Sequence, residues 1–184
     1  MRSRIDPDRL AQIQTLSEGG HTSIDEGMCV MEAVAYVAGE PWSDAPQCAC
    51  PVITRFMVGW NDGLPDNDAR DRLLKPLIPM IVGTRSTPAC ESIRAWLARD
   101  WMIRELTPAW LDLVPATAEH AAQLRALAPI TSEPQLAAAQ LALDQARSAA
   151  NAARDAARDA LETTTKILQT SASALVRRMV EVTA

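Results

Sequence analysis

One stretch constrains this chain more than any other. Across residues 28–38, MCVMEAVAYVA, the only charge is Glu32. A helix that is apolar on every side is stable only when other elements enclose it, so this run has to be a central helix with neighbours all round. Ser23 followed three residues on by Glu26 reads as a capping box, and Gly39 supplies a left-handed stop, which gives a central helix over 24–38. A lone ionised carboxylate inside such a helix needs a partner. Arg55, Arg94 or tryptophan N–H groups are the candidates, and a structural pair is favoured over a general base.

The enclosing elements carry the same punctuation, and all of them read as helices. Asp6 and Pro7 open one through Leu10, Ile13 and Leu16, ending at Gly19 and Gly20. Pro51 opens another with Val52, Ile53, Phe56, Met57 and Trp60 on its inner face, closed by Asn61, Asp62 and Gly63. Asp66 caps a third through Leu74, Ile78 and Ile81, broken or bent at Pro76 and Pro79. Thr87-Pro88 and Thr107-Pro108 open two more, and a helix over 117–127 follows. The expected fold is therefore all-α. With 184 residues, 48% of them apolar but only 4% aromatic, the core rests on Leu, Ile, Val, Met and five tryptophans. Trp60, Trp96, Trp101 and Trp110 sit at apolar helical positions and are expected in that core. Trp42 sits in a polar loop and is expected to line a pocket or an interface.

Residues 132–184 differ in composition. Ser132 to Gln135 repeats the capping-box pattern, and Ala142, Ala146, Ala149, Ala153, Ala156 and Ala160 then step by fours and threes, a heptad seam of alanines. Thr163, Thr164 and Thr165 are expected to break the helix. The chain is thus expected to divide into a compact helical body, 1–131, and an Ala-rich helical arm, 132–184. Pairing of the arm with its copy in a second chain, giving a homo-oligomer, is favoured over packing back on its own body.

Charge excludes one class of partner. Residues 133–184 balance their cations and acids, so the whole net charge of −5 lies before them. That argues against duplex nucleic acid, which needs cations to displace phosphate counterions. No window approaches a membrane span, and the N-terminus has no apolar run of the signal-peptide kind, so a cytoplasmic protein with reduced thiols is expected.

The groups capable of chemistry concentrate in 19–51. Gly19, Gly20, His21, Thr22 and Ser23 form a glycine turn running into the predicted helix N-terminus, where free N–H groups and hydroxyls suit an anion. Arg55 and Lys75 are possible counter-charges. The expected ligand-binding set is Gly20, His21, Thr22, Ser23, Glu32, Trp42 and Arg55. His21, Cys29, Cys48 and Cys50 are of types that bind zinc, but Cys-x-Cys is not the usual spacing, and buried apolar thiols without metal are favoured. Walker, Gly-x-Ser-x-Gly, HExxH, EF-hand and dinucleotide patterns are missing.

The strings GMCVMEAVAYVAGEPWSDAPQC, WNDGLPD, LLKPLIPMIVGT and TPAWLDL, with LQTSASALVRRMV near the end, resemble a family of small proteins frequent in bacteriophage and bacterial genomes. The resemblance implies an origin and marks the 40–51 loop as a shared feature, without implying a reaction. Three functions fit. The first is a non-enzymatic oligomer holding an anionic small molecule or a partner, in a phage setting a nucleotide signal of host defence. The second is a small hydrolase using Glu32 and His21, with or without metal. The third is a virion or scaffold component assembling through the arm.

Overall fold

A computed structural model describes residues 5–152 and 161–182. Among these the chain is all-α, without strands. By contacts the described residues fall into two compact units, Met1–Glu91 with Met179–Ala184, and Ser92–Arg178.

The first unit is built around the run that carries only Glu32. Helix α1 (Pro7–Gln12) is capped by Asp6, whose carboxylate accepts from Asp8 N and Arg9 N at 3.0 and 3.2 Å. It ends earlier than the apolar spacing predicts. Ile13 turns extended, and Leu16, fully buried, gives its N–H to Asp71 at 2.7 Å instead of to a helical carbonyl. Helix α2 (Val30–Ala38) is the central element, with Val30 through Ala35 and Val37 all buried. It packs against α1, α3 (Pro51–Asp62) and α5 (Ile78–Ile81).

Two corrections concern α2. It starts at Val30, so the predicted span 24–38 is nearly two turns too long. The capping box is made by Cys29 and Glu32, not by Ser23 and Glu26. Glu26 is engaged elsewhere, accepting from Thr22 N and Oγ1, and Gly27 at φ +137° takes the chain out of helix.

The prolines act as predicted. α4 (Asn67–Leu74) is capped by Asp66, a 3-10 turn over Lys75–Leu77 holds Pro76, and α5 follows with Pro79 at its second position. Arg70 is buried beneath them. It donates to the carbonyls of Asn61 and Leu64 at 3.0 and 2.9 Å, satisfying groups that the end of α3 leaves open.

Helix α6 (Pro88–Trp101) runs through a π turn over Met102–Leu106 into α7 (Thr107–Leu111). The second unit continues with α8 (Ala118–Ala126), α9 (Glu133–Ala152) and α10 (Leu161–Glu181). Its core joins Ile103, Leu111, Ala121, Leu124 and Ile130 to Ala139 and Ala146 of α9. The alanine face of α9 thus packs on its own chain, with Ala142 and Ala150 partly buried against the same cluster. The contact boundary falls between Glu91 and Ser92, not at 131/132, because small side chains bring α9 close to α8.

The rest of the predicted seam, Ala153, Ala156 and Ala160, lies outside the described residues. Thr163, Thr164 and Thr165 do not break the helix, since α10 runs through them. Trp101 is buried, whereas Trp110 is 40% exposed, against the expectation that it is core. No helix among the described residues is long and apolar enough to cross a membrane.

Candidate functional site

The loop between α1 and α2 is tied off at its base. Ser17 N donates to Met28 O at 2.8 Å, and Met28 N returns a bond to Ser17 Oγ at 3.0 Å. Inside this closure lies Glu32, only 2% exposed. Its Oε1 accepts from His21 N at 2.7 Å. Its Oε2 accepts from Cys29 N at 2.7 Å and meets His21 Nδ1 at 2.9 Å. The partner of the buried acid is therefore His21 and two backbone amides, not Arg55, Arg94 or an indole.

A carboxylate at Nδ1 accepts only, so in the neutral ring the proton sits on Nδ1 and Nε2 is an acceptor. Nε2 faces Ser17 Oγ at 3.1 Å. Three side chains, Glu32, His21 and Ser17, thus form one continuous chain of hydrogen bonds.

Neighbouring elements hold that chain in place. Asn61, fully buried at the end of α3, donates to Ser17 O at 3.0 Å and accepts from Val30 N at 3.2 Å. Trp42 reaches across from the 40–51 loop and donates its indole N–H to His21 O at 2.8 Å. Gly27 sits over the imidazole and the hydroxyl. A Cβ there would lie 2.6 Å from His21 Nε2 and 2.7 Å from Ser17 Oγ, so only glycine fits.

The structure brings together His21, Glu32, Trp42 and, more loosely, Gly20, whose added Cβ would be in ordinary contact with Glu32. Thr22 turns to Glu26, Ser23 gives its carbonyl to Glu26 N, and Arg55 lies on α3 in a separate cleft. Gly19 N, His21 N and Thr22 N, the donors of the predicted anion cradle, are each taken by a carboxylate: Asp62, Glu32 and Glu26. The cradle is filled by the protein's own acids, and it lies a turn before the helix it was expected to open. The hydrogen bonds from Thr22 N and Oγ1 hold the Glu26 carboxyl below its ordinary pKa.

Two of the thiols are disfavoured from ionising. Burial pushes Cys29 up to about 12 and Cys48 upward as well, and all four cysteines are buried and outside any disulfide. Among the described residues no group of three or more His, Cys, Asp or Glu side chains is placed to hold a metal, and His21, Cys29, Cys48 and Cys50, of zinc-binding types but not favoured as ligands, do not assemble.

A different feature of the first unit suits an anion. Cys50 caps α3 without a side-chain hydrogen bond, Pro51 follows, and the first turn carries no acid. Beside that turn is an open cleft of about 380 Å³ lined by Asp44, Pro46, Thr54, Arg55, Val58 and Arg85, among others. Arg85 is anchored through its backbone N–H to Cys48 O at 2.8 Å, and its side chain is paired loosely with Glu91 at 3.7 Å. In the second unit an open cleft of about 600 Å³ is lined by Glu119, His120 and Asp144.

Ser17, Gly27 and Asn61 were not singled out by the sequence. Ser17 stands four residues before His21 and Asn61 ends an apolar helix, and neither spacing is a recognised motif. Compared with family models, characterised proteins and solved structures, the chain matches none.

Proposed function

We propose that the chain binds an anionic small molecule, and that the ligand sits in the cleft between the 44–51 segment and the first turn of α3. One observation carries this reading: the N-terminus of α3 has neither a side-chain cap nor an acidic residue, and Arg55 and Arg85 flank the same cleft. A helix N-terminus bears about half a positive charge, and guanidinium groups add bidentate donors suited to phosphate or carboxylate. Asp44 in the lining and Glu91 beside Arg85 are the opposing charges, the latter pair loose enough at 3.7 Å for a ligand to compete. The cleft lining contains Thr54 but no His, Cys or Ser, which favours holding over turnover.

The resemblance to small phage and bacterial proteins fits a role in sequestering a nucleotide-like signal, which we propose as the ligand class. A homo-oligomer would have to form away from the described part of the alanine seam, which is packed in cis. Leu141 and Ile167, 69% and 61% exposed, are the apolar side chains that could meet a second copy.

The test is thermal shift and calorimetry with mono-, di- and cyclic nucleotides, alongside native mass spectrometry of untreated protein. Ligand at 100 times its Kd should stabilise by about 2.7 kcal/mol, and Arg55→Glu with Arg85→Glu should abolish the shift. If no nucleotide or simple phosphate raises Tm, or if the double variant binds as well as the parent, the cleft reading fails. Mass spectrometry at native concentration reports copy number in the same experiment.

A further inference from the structure

We propose that Ser17, His21 and Glu32 form a nucleophile–base–orienter relay capable of attacking an activated acyl or phosphonyl centre. This site is separate from the arginine cleft and independent of what binds there. The geometry is that of base-assisted serine chemistry. Ser17 Oγ is 3.1 Å from His21 Nε2, and His21 Nδ1 is 2.9 Å from Glu32 Oε2. The orienting acid is fixed by two further donors, His21 N and Cys29 N, both at 2.7 Å, so it cannot swing away from the ring. Asn61 fixes the nucleophile's own backbone through Ser17 O. Met28 N–H, 3.0 Å from Oγ, favours the oxygen as it gains negative charge.

A purely structural network would explain the saturated Glu32 equally well. Ser17 Oγ also has Met28 O at 3.5 Å as a second acceptor, so reactivity is what separates a relay from a purely structural tie. Ser17 and His21 are both half-buried, not sealed.

The step balances within these groups. Ser17 Oγ forms a bond to the carbonyl carbon of an ester while its proton passes to His21 Nε2. The adduct collapses, the C–O bond to the leaving alcohol breaks, and His21 returns the proton to that alcohol. Water then enters by the same base and releases the acid and free Ser17. Gly27 leaves no room for bulk over the pair, so the substrate class is a small acyl ester with a good leaving group.

The experiment treats the full chain with a small fluorophosphonate and reads intact mass and peptide maps. One adduct is expected, on Ser17. It should vanish in Ser17→Ala and be slowed by three to four orders of magnitude in Glu32→Gln, by analogy with loss of the orienting acid in a serine triad. Since Glu32→Gln threatens folding, Ser17→Cys is the second arm. Its thiol should react with iodoacetamide at pH 7 well above the rate of a free cysteine, while the four native thiols stay buried and unreactive. No adduct on the folded parent, an adduct at another residue, or a Ser17→Cys thiol no faster than free cysteine would each overturn the proposal.

Discussion

The two units hold a helix by opposite means, the first by enclosing it and the second along one face. The first encloses α2 with large side chains and then has to satisfy what it buries: Glu32, Asn61 and Arg70 are each less than 4% exposed and each hold several hydrogen bonds. The second seats α9 along one face, through that helix's own alanines. Ala139 and Ala146 are nearly inaccessible, yet each contributes one methyl group, so little apolar area is buried per residue. Its polar contacts include a chain from Trp101 through Ser171 and Glu105 to Arg178, and it buries Arg94 and Thr117 as well. The first unit should therefore be sensitive to deletion of polar groups, and the second to added volume.

The largest effect should come from Glu32→Ala. Three buried donors lose their acceptor at once, and about 3–5 kcal/mol should be lost, the range for breaking a buried charged network. Hydrogen exchange by mass spectrometry should show residues 5–91 opening while 92–152 keep their protection. Uniform opening would mean that the units are not separately stable. Gly27→Ala should follow, at about 2–3 kcal/mol by denaturant melts, combining a strained φ with a Cβ that strikes His21 and Ser17. Ala146→Leu carries the opposite logic into the second unit. Overpacking should remove about 1–3 kcal/mol, with exchange rising in 92–152 instead. If Ala146→Leu stabilises, the α9 contact is looser than its burial implies.

Asp71 gives a smaller, pH-dependent effect. Burial alone would raise its pKa, but Lys75, Leu16 N and Thr15 donate to it and together hold it below the ordinary value. A carboxyl lowered on folding stabilises the protein above its unfolded pKa, about 3.9, and the contribution is lost as pH falls through the folded pKa. Asp71→Asn should lower Tm slightly at pH 7 and flatten its fall below pH 4. An unchanged acid limb would show that the bonds to Asp71 add nothing. Cys29 supplies the alkaline counterpart. The unfolded thiol ionises near 8.5 and the folded one near 12, so stability should decline as pH rises between them. At pH 8 a disulfide reagent should leave the folded chain untouched and titrate four thiols once it is denatured.

Much of the scaffold was legible in the sequence because prolines, glycines and aspartates act locally. Asp6, Gly39, Pro51, Asp66, Pro76, Pro79 and Pro88 all stand where their backbone chemistry predicts. The start of α2 was misread for an equally local reason. Ser23 and Glu26 have the capping spacing, but so do Cys29 and Glu32, and thiols are weak acceptors that do not read as caps. What decides between the two is Gly27 at φ +137°, a dihedral that no side-chain pattern displays. The site itself was half visible. Density of chemistry marked His21, Glu32 and Trp42, and the structure joins them. The connection to Ser17 and Asn61 depends on a loop closing on itself and on a helix packing across it, contacts separated by up to 44 residues. The reversal at the anion site has the same origin. A glycine turn near a predicted helix looks like a cradle until three acids from different elements occupy its donors.

Asn61 also has a consequence for the order of events in folding. It ties Ser17 and Val30 to the end of α3, so the closure around Glu32 is complete only once α2 and α3 have met. If these bonds form after that meeting, they act on unfolding and not on refolding. We expect Glu32→Ala and Asn61→Ala to leave refolding rates nearly unchanged and to accelerate unfolding, φ-values near zero in stopped-flow chevrons. Slowed refolding would place the closure in the nucleus instead. On this view the tie around Glu32 works as a latch on the dwell time of the folded state, governing how long the first unit stays closed and leaving its speed of assembly to the helices beneath.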